Sequence, residues 1–310
     1  MLLAAHALAF ALLPYTPPPA GPGFEFIDVG QGAALLIRDA AGELVLVDSG
    51  PAGAAEAVLA AVLAEQAVGE PARVALWIHG HYDADHLGGF ARVVAGLDGV
   101  WPSVDDLDVS ATWDRGLGGS IPDTDATRLY FALTDGQRTA ATAGQVYRSE
   151  GLEIRVLALD PPPADAPENA QGLALCVELA GRRALLPGDL PAERLELAAA
   201  ACGPVDLLWL GHHGSADAIS AAAIALADPD LVVISAGLAN GYCHPAARAL
   251  ALVGDRRVRI LAGAGLDPRG PCAPLAEALG PDHRLLGASL WVAGDLGRWV
   301  GDPVRGWVGD

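Results

Sequence analysis

The segment that most limits how this chain can fold is His81-Tyr-Asp83-Ala-Asp85-His86-Leu-Gly-Gly, which follows directly on the apolar run Val74 to Ile78. Four potential metal ligands, His81, Asp83, Asp85 and His86, fall within six residues. A strand that ends and hands over to a loop can point several side chains at one centre, which is what a metal ion requires. Neutral imidazole with carboxylate is the donor set expected for zinc or manganese. An ordinary polar loop would have to explain why histidine and aspartate alone fill these positions.

Length and charge narrow the setting of that site. A chain of 310 residues can bury a full core as one large or two small domains. The net charge of −19 argues against a broad surface for nucleic-acid phosphates, because such a surface needs clustered cations. It does not bear on a small anionic site, where bound divalent ions reverse the local sign. All 19 basic residues are arginine, as in an Ala- and Arg-rich proteome. The four cysteines (Cys176, Cys202, Cys243, Cys272) form no CxxC and no metal-type spacing, so unpaired thiols are the default expectation. Export would admit one disulfide.

The first residues read two ways. Met1 to Leu13 is apolar apart from His6 and precedes a Pro-rich stretch, with Ala9 and Ala11 suited to a signal cleavage site. A cationic start is missing, and the alternative is a first buried element of the fold. The balance favours an exported or N-terminally anchored protein over a cytoplasmic one, with residues 1–23 as a leader. No other segment has the length of a membrane span.

From Phe24 onward, short apolar runs alternate with glycine turns. Strands are expected at Phe24–Val29, Ala34–Arg38, Leu44–Val47 and Val74–Ile78, with a helix from about Ala54 to Val68 between the last two and a helix start at Leu87–Val94. Residues 100–150, rich in Asp, Gly and Thr, read as an irregular insertion of loops and short strands. Leu152–Leu159 reads as a strand, and Leu173–Leu179 with Arg183–Leu186 as a hairpin around Gly181. Helices Ala192–Ala200, Ile219–Ala227 and Pro245–Val253 then alternate with strands Asp206–Leu210, Leu231–Ser235 and Val258–Leu261. The tail Arg284–Val300 suggests a closing hairpin. Strand-rich runs joined to βα units predict an α/β protein with mixed sheets and helices outside, in one domain from residue 24 to 310.

The motif His-x-Asp-x-Asp-His-x-Gly-Gly resembles the metallo-β-lactamase signature His-x-His-x-Asp-His, with aspartate at its second position. That variant is similar to the ComEC-type competence-protein nuclease domain. His79 offers a rival register, but only Asp85-His86 supplies the adjacent Asp-His that the family needs. The resemblance continues through Phe26-Ile-Asp-Val-Gly-Gln-Gly32, Val47-Asp-Ser-Gly50, Leu185-Leu-Pro-Gly-Asp189, Leu210-Gly-His-His-Gly-Ser215 and Asn240-Gly-Tyr-Cys-His-Pro245, in order. Two departures stand out: Ala33 replaces the usual Asp after Gln-Gly, and Cys243 replaces the glycine before His-Pro.

The resemblance implies an αββα four-layer sandwich and a site for two divalent ions, zinc before manganese. His81 and Asp83 would hold one ion, and Asp85, His86 and His213 the other, with Asp189 bridging. A water between two such ions ionises near neutral pH, giving a bridging hydroxide, and the pair clamps the oxygens of an in-line displacement at phosphorus. The catalytic set would be Asp85, His212 and His244, the two histidines facing substrate oxygens. Spacing alone leaves open which of His212 and His213 meets the metal, because adjacent strand residues point to opposite sides. Asp28 and Asp48 read equally as supports for metal-bound imidazoles or as plain turn residues. Arg115 reads as a surface arginine before a phosphate contact, and Trp77 and Trp209 as core.

The expected function is hydrolysis of a phosphodiester, small or polymeric, as a phosphodiesterase or nuclease. Hydrolysis of another ester, such as a phosphocholine ester or lactone, is the alternative on the same site. A binding protein that has lost turnover is the third reading, disfavoured by the intact ligand set.

Overall fold

The computed structural model describes residues 20–66, 72–103, 105–237, 240–262, 278–286 and 289–293, with the backbone of 299–300. The leader expectation for residues 1–23 falls almost wholly outside them.

Two eight-stranded mixed sheets carry the fold. The first runs in the order β18 (Trp299–Val300), β17 (Leu290–Ala293), β1 (Gly23–Phe26), β2 (Leu35–Arg38), β3 (Leu44–Val47), β5 (Leu76–His79), β7 (Thr112–Asp114) and β8 (Arg138–Ala140). Its pairings are antiparallel up to β3 and parallel from β3 to β8. The second runs β16 (His283–Leu286), β15 (Arg257–Leu261), β14 (Leu231–Ser235), β13 (Leu207–Trp209), β12 (Arg182–Leu186), β11 (Leu175–Leu179), β10 (Leu152–Val156) and β9 (Val146–Ser149). There β9 to β12 are antiparallel and β12 to β16 parallel. A short pair, β4 (Arg73–Val74) with β6 (Asp108–Val109), stands apart.

Strands buried on both faces split their apolar residues by period two. Phe24, Phe26, Leu35, Ile37, Val45, Val47, Leu76 and Ile78 of the first sheet meet Ile154, Val177, Leu207, Leu231 and Val233 of the second in the central core. The alternate residues Leu36, Leu46 and Trp77 face helices α1 (Ala55–Ala64), α2 (Ala84–Leu87), α3 (Phe90–Val94) and α4 (Asp125–Leu133). Leu185, Leu208, Val232 and Ile234 face α5 (Ala192–Cys202), α6 (Ala221–Ala227) and α7 (Ala247–Val253). The result is the expected αββα sandwich. Each fully buried leucine or valine in it contributes roughly 1.5–3 kcal/mol, so a one-residue slip of any central strand would be costly.

Three expectations need correction. Residues 100–150 are not only loops and short strands: β7 and β8 extend the first sheet, and α4 packs Tyr130 under it. Helix α4 starts at a reciprocal Thr124–Thr127 cap, which lacks the Glu or Gln that usually marks such a box in a sequence. The tail is a hairpin only in its second half: β17 pairs antiparallel with β18 and with β1 in the first sheet, whereas β16 pairs with β15 in the second. The described cysteines are not free thiols either. Cys176 of β11 is bonded to Cys202 at the end of α5, and Cys243 is also disulfide-bonded. The first bond closes a span of 26 residues, worth about 3–4 kcal/mol on the loop-entropy account. The partners of a disulfide are far apart in sequence, so spacing does not announce them.

Candidate metal centre

Each sheet has a parallel half, and those halves end on the same edge of the sandwich. Ligand sites in α/β sheets form beyond the carboxyl ends of such strands. Strand β3 runs into Asp48, β5 into His81, β12 into Asp189, β13 into His212 and His213, and β14 into the loop that carries His244. Backbone crowding fixes the turns. Gly32 has a φ of +147°, and a Cβ there would lie 2.4 Å from the carbonyl oxygen of Asp85. A Cβ on Gly211 would lie 2.3 Å from the carbonyl oxygen of Gly188, so the turns bearing Asp189 and His213 touch backbone to backbone.

The histidines and carboxylates converge from both sheets. Two groups have donor atoms within 4.8 Å of one another: His81 with His86 and Asp189, and Asp85 with His86 and His213. The Oδ2 of Asp189 lies 3.8, 3.3 and 3.6 Å from the Nε2 atoms of His81, His86 and His213. His213 Nε2 is 3.0 Å from Asp85 Oδ2, and its Nδ1 is 2.8 Å from the carbonyl oxygen of Ser235. Asp83 is in neither group, but its Oδ2 lies 3.7 Å from His81 Nε2 and its side chain is more than a third exposed.

These side chains fit divalent ions. Both ring nitrogens of His81 and the Nε2 of His86 are buried without a hydrogen-bond partner, a state proteins rarely leave uncompensated. Burial, with His86 beside it, lowers the pKa of His81 to about 3, so its ring is a neutral donor at physiological pH. Burial also disfavours charge on His86, yet Asp189 and Asp48 outweigh it and raise its pKa well above the usual value. Asp83 is pushed up to about 6, by burial first and then by Asp85 and Glu168. The pocket thus draws positive charge to its carboxylates.

The supports around these donors are buried as well. Asp48, at a φ of 59°, accepts from Gly80 N through Oδ1 (2.8 Å) and meets His86 Nδ1 through Oδ2 (2.8 Å). That leaves Nε2 of His86 as the atom facing Asp189. Asp28 instead caps its own turn, accepting from Gly30 N at 3.1 Å. Ala33 donates its N–H to the Asp85 carbonyl (3.1 Å) and so holds the ligand loop through backbone alone. His79 has no partner on either nitrogen and packs among Trp77, Phe90 and Tyr130, away from the cluster's donor groups. Trp77 and Trp209 are core residues.

Arg115 overturns its expectation. Its side chain is buried, ion-paired to Glu168 and stacked 4.4 Å over the Tyr82 ring. Glu168 also accepts from Tyr82 N at 2.8 Å, so this pair braces the ligand loop and leaves no free phosphate contact. Glu168 and Asn169 sit in a short 3-10 turn, Glu168–Gln171. Sequence reading missed both, since a Pro-bounded loop carries no spacing signal.

His212 and His213 occupy a tight turn beyond the strand, both with left-handed φ angles (49° and 54°), so the rule that strand neighbours face opposite ways does not apply to them. Their rings still diverge. His213 is buried, whereas His212 is a quarter exposed, with Nε2 3.3 Å from Asn169 Nδ2 and its backbone N–H donating to Asp189 Oδ1. His244 stands 5.5 Å from His212 ring to ring, its Nδ1 buried without a partner. Burial and the two neighbouring histidines lower its pKa to about 4.

The Metallo-beta-lactamase superfamily model matches residues 27–237, and the chain belongs to that superfamily. It is 26% identical over 220 residues to Recombination protein 2 of Haemophilus influenzae, covering 71% of this chain and 25% of that one. It is 27% identical over 221 residues to Competence protein ComA of Neisseria gonorrhoeae, covering 70% and 27%. The motif resemblance to ComEC-type proteins is thereby borne out, and the chain spans about a quarter of these relatives' length. Among solved structures, the metallo-beta-lactamase fold protein YhfI of Bacillus subtilis superposes with a TM-score of 0.50 at 12% identity, covering 78% of this chain and 97% of that one.

Proposed function

We propose that this chain is a binuclear metal-dependent hydrolase of phosphodiesters. The observation that carries this reading is the carboxylate of Asp189, within 3.8 Å of three histidine nitrogens drawn from two different loops. His81, Asp83 and Asp189 would hold one ion, and Asp85, His86, His213 and Asp189 the second. Bound there, a pair of divalent ions would supply a nucleophile at neutral pH and stabilise charge on the phosphoryl oxygens.

The chain's own residues supply the rest. Asp48 and Ser235 fix the ring orientations of His86 and His213, which raises ligand basicity and sets the tautomer. His212 and His244 are partly exposed beside each other, 5.5 Å ring to ring, and would meet charge developing on a substrate oxygen. At physiological pH His244 is neutral, so one ring nitrogen carries an N–H that can donate a hydrogen bond to a substrate oxygen but no proton to transfer. The matching relatives named for recombination and competence favour phosphodiesters over other esters.

The test is a screen of metal-supplemented protein against bis(p-nitrophenyl) phosphate, single-stranded DNA and lactones. Chelator-sensitive cleavage of either phosphodiester is expected. Lactone cleavage alone would transfer the site to the alternative ester chemistry, and no turnover of any substrate would leave a binding protein.

A further inference from the structure

Outside the donor cluster, a file of rings leads from the buried site to solvent. His213 and His244 are nearly parallel, with centroids 6.4 Å apart and planes at 24°. Tyr242 continues the file, 5.8 Å beyond His244 with planes at 32°. At 73% exposure it is the most exposed large apolar side chain among the described residues. An aromatic ring left this bare gains nothing from burial and is an unused stacking face.

Its loop is built to hold the ring still. Asn240 Oδ1 accepts from the backbone N–H of both Tyr242 (3.1 Å) and His244 (3.0 Å), while its Nδ2 donates to the carbonyls of Gly237 and His244. The next residues anchor the loop to the histidine turn, since Ala246 N donates to Gly214 O at 2.9 Å. Cys243, between the two rings, is disulfide-bonded and sits at a φ of 62°. A residue this exposed on a loop this constrained is placed, not left over.

We propose that Tyr242 is a specificity residue of this site, stacking on a base of the substrate next to the phosphate that the histidines meet. The inference rests on the hydrolase reading above and assigns its base contact to one residue. A nucleotide carries a flat ring one sugar away from its phosphate, and here a flat ring stands one step out from the histidines that would meet that phosphate. Stacking also suits an acidic chain. Base contacts need no cation, and the arginine beneath the ligand loop, Arg115, is committed to Glu168. Recognition would therefore be tolerant of base identity, because every base offers a π-face.

The experiment is fluorescence anisotropy of metal-loaded protein, on ice, with a labelled short oligothymidylate and an abasic oligomer of equal length. Both probes present the same phosphates, and only one presents bases. The wild type should bind the thymidylate about tenfold or more tightly. Tyr242→Ala should lose that preference, keep its affinity for the abasic oligomer and keep the wild-type melting temperature. Tyr242→Phe should retain the preference. Equal affinity for the two probes in the wild type, including no measurable binding to either, would overturn the proposal. So would a preference that survives in Tyr242→Ala. Cleavage is scored separately: base-dependent binding with neither oligomer cut would sink the hydrolase reading and leave the stacking platform standing.

Discussion

At the scale of single residues, the centre separates donors from the groups that aim them. Asp48 contacts His86 only through Nδ1, yet that bond decides which nitrogen faces Asp189. Asp48→Asn should weaken metal binding roughly 10–100-fold while the fold persists, and metal-competition titration would show it. Unchanged affinity would reduce Asp48 to a turn residue. The two turn histidines should part company. His213→Ala should lose metal, since it deletes an imidazole donor beside Asp85. His212→Ala should keep metal and lower kcat about a hundredfold, with little change in KM, as expected for a group that meets charge mainly in the transition state. Equal metal loss in both variants would put both rings on ions. These identities were legible in the sequence because histidine and aspartate clustered within motifs. Their orientation was not. The argument that strand neighbours point apart did not apply to residues lying in a turn at positive φ.

At the scale of elements, the loop bearing His81 and Asp83 is braced from below by a pair distant in sequence. Arg115 follows β7, Glu168 opens a 3-10 turn, and they meet beneath Tyr82. Removing one partner of a buried ion pair leaves an uncompensated charge. Glu168→Ala should therefore cost about 3–5 kcal/mol in urea unfolding and loosen the loop. A loss below the range for an exposed pair, about 1 kcal/mol, would show that the brace contributes little. Elements with strong periodicity were readable in advance: β3 and β14 fall where the apolar runs put them. Helix α4 was not, because only Thr127 and Tyr130 are buried while Leu129 is exposed, so its apolar residues do not mark one buried face. The start of the tail was misread, and only β17 with β18 forms the hairpin, because adjacent apolar strands look like a hairpin whether or not they share a sheet. Only the tertiary pairing of β16 with β15 and of β17 with β1 decides it.

At the scale of the whole molecule, two sheets present the carboxyl ends of their parallel strands to one edge, and the donors of the centre come from both. The sandwich must close before the centre exists, so metal binding and packing of the two sheets are coupled. A net charge of −19 sharpens the same point, since divalent ions would offset a concentration of carboxylates. Among the described residues no helix is long and apolar enough to cross a membrane. The measurement that bears most directly on the account is elemental analysis of the chain purified without chelator, in the wild type and in Asp189→Ala. The wild type should carry about two divalent ions per chain, zinc or manganese, as a binuclear site requires, and Asp189→Ala should carry fewer while remaining folded. A wild-type chain that is folded and metal-free after supplementation would contradict the account at its centre.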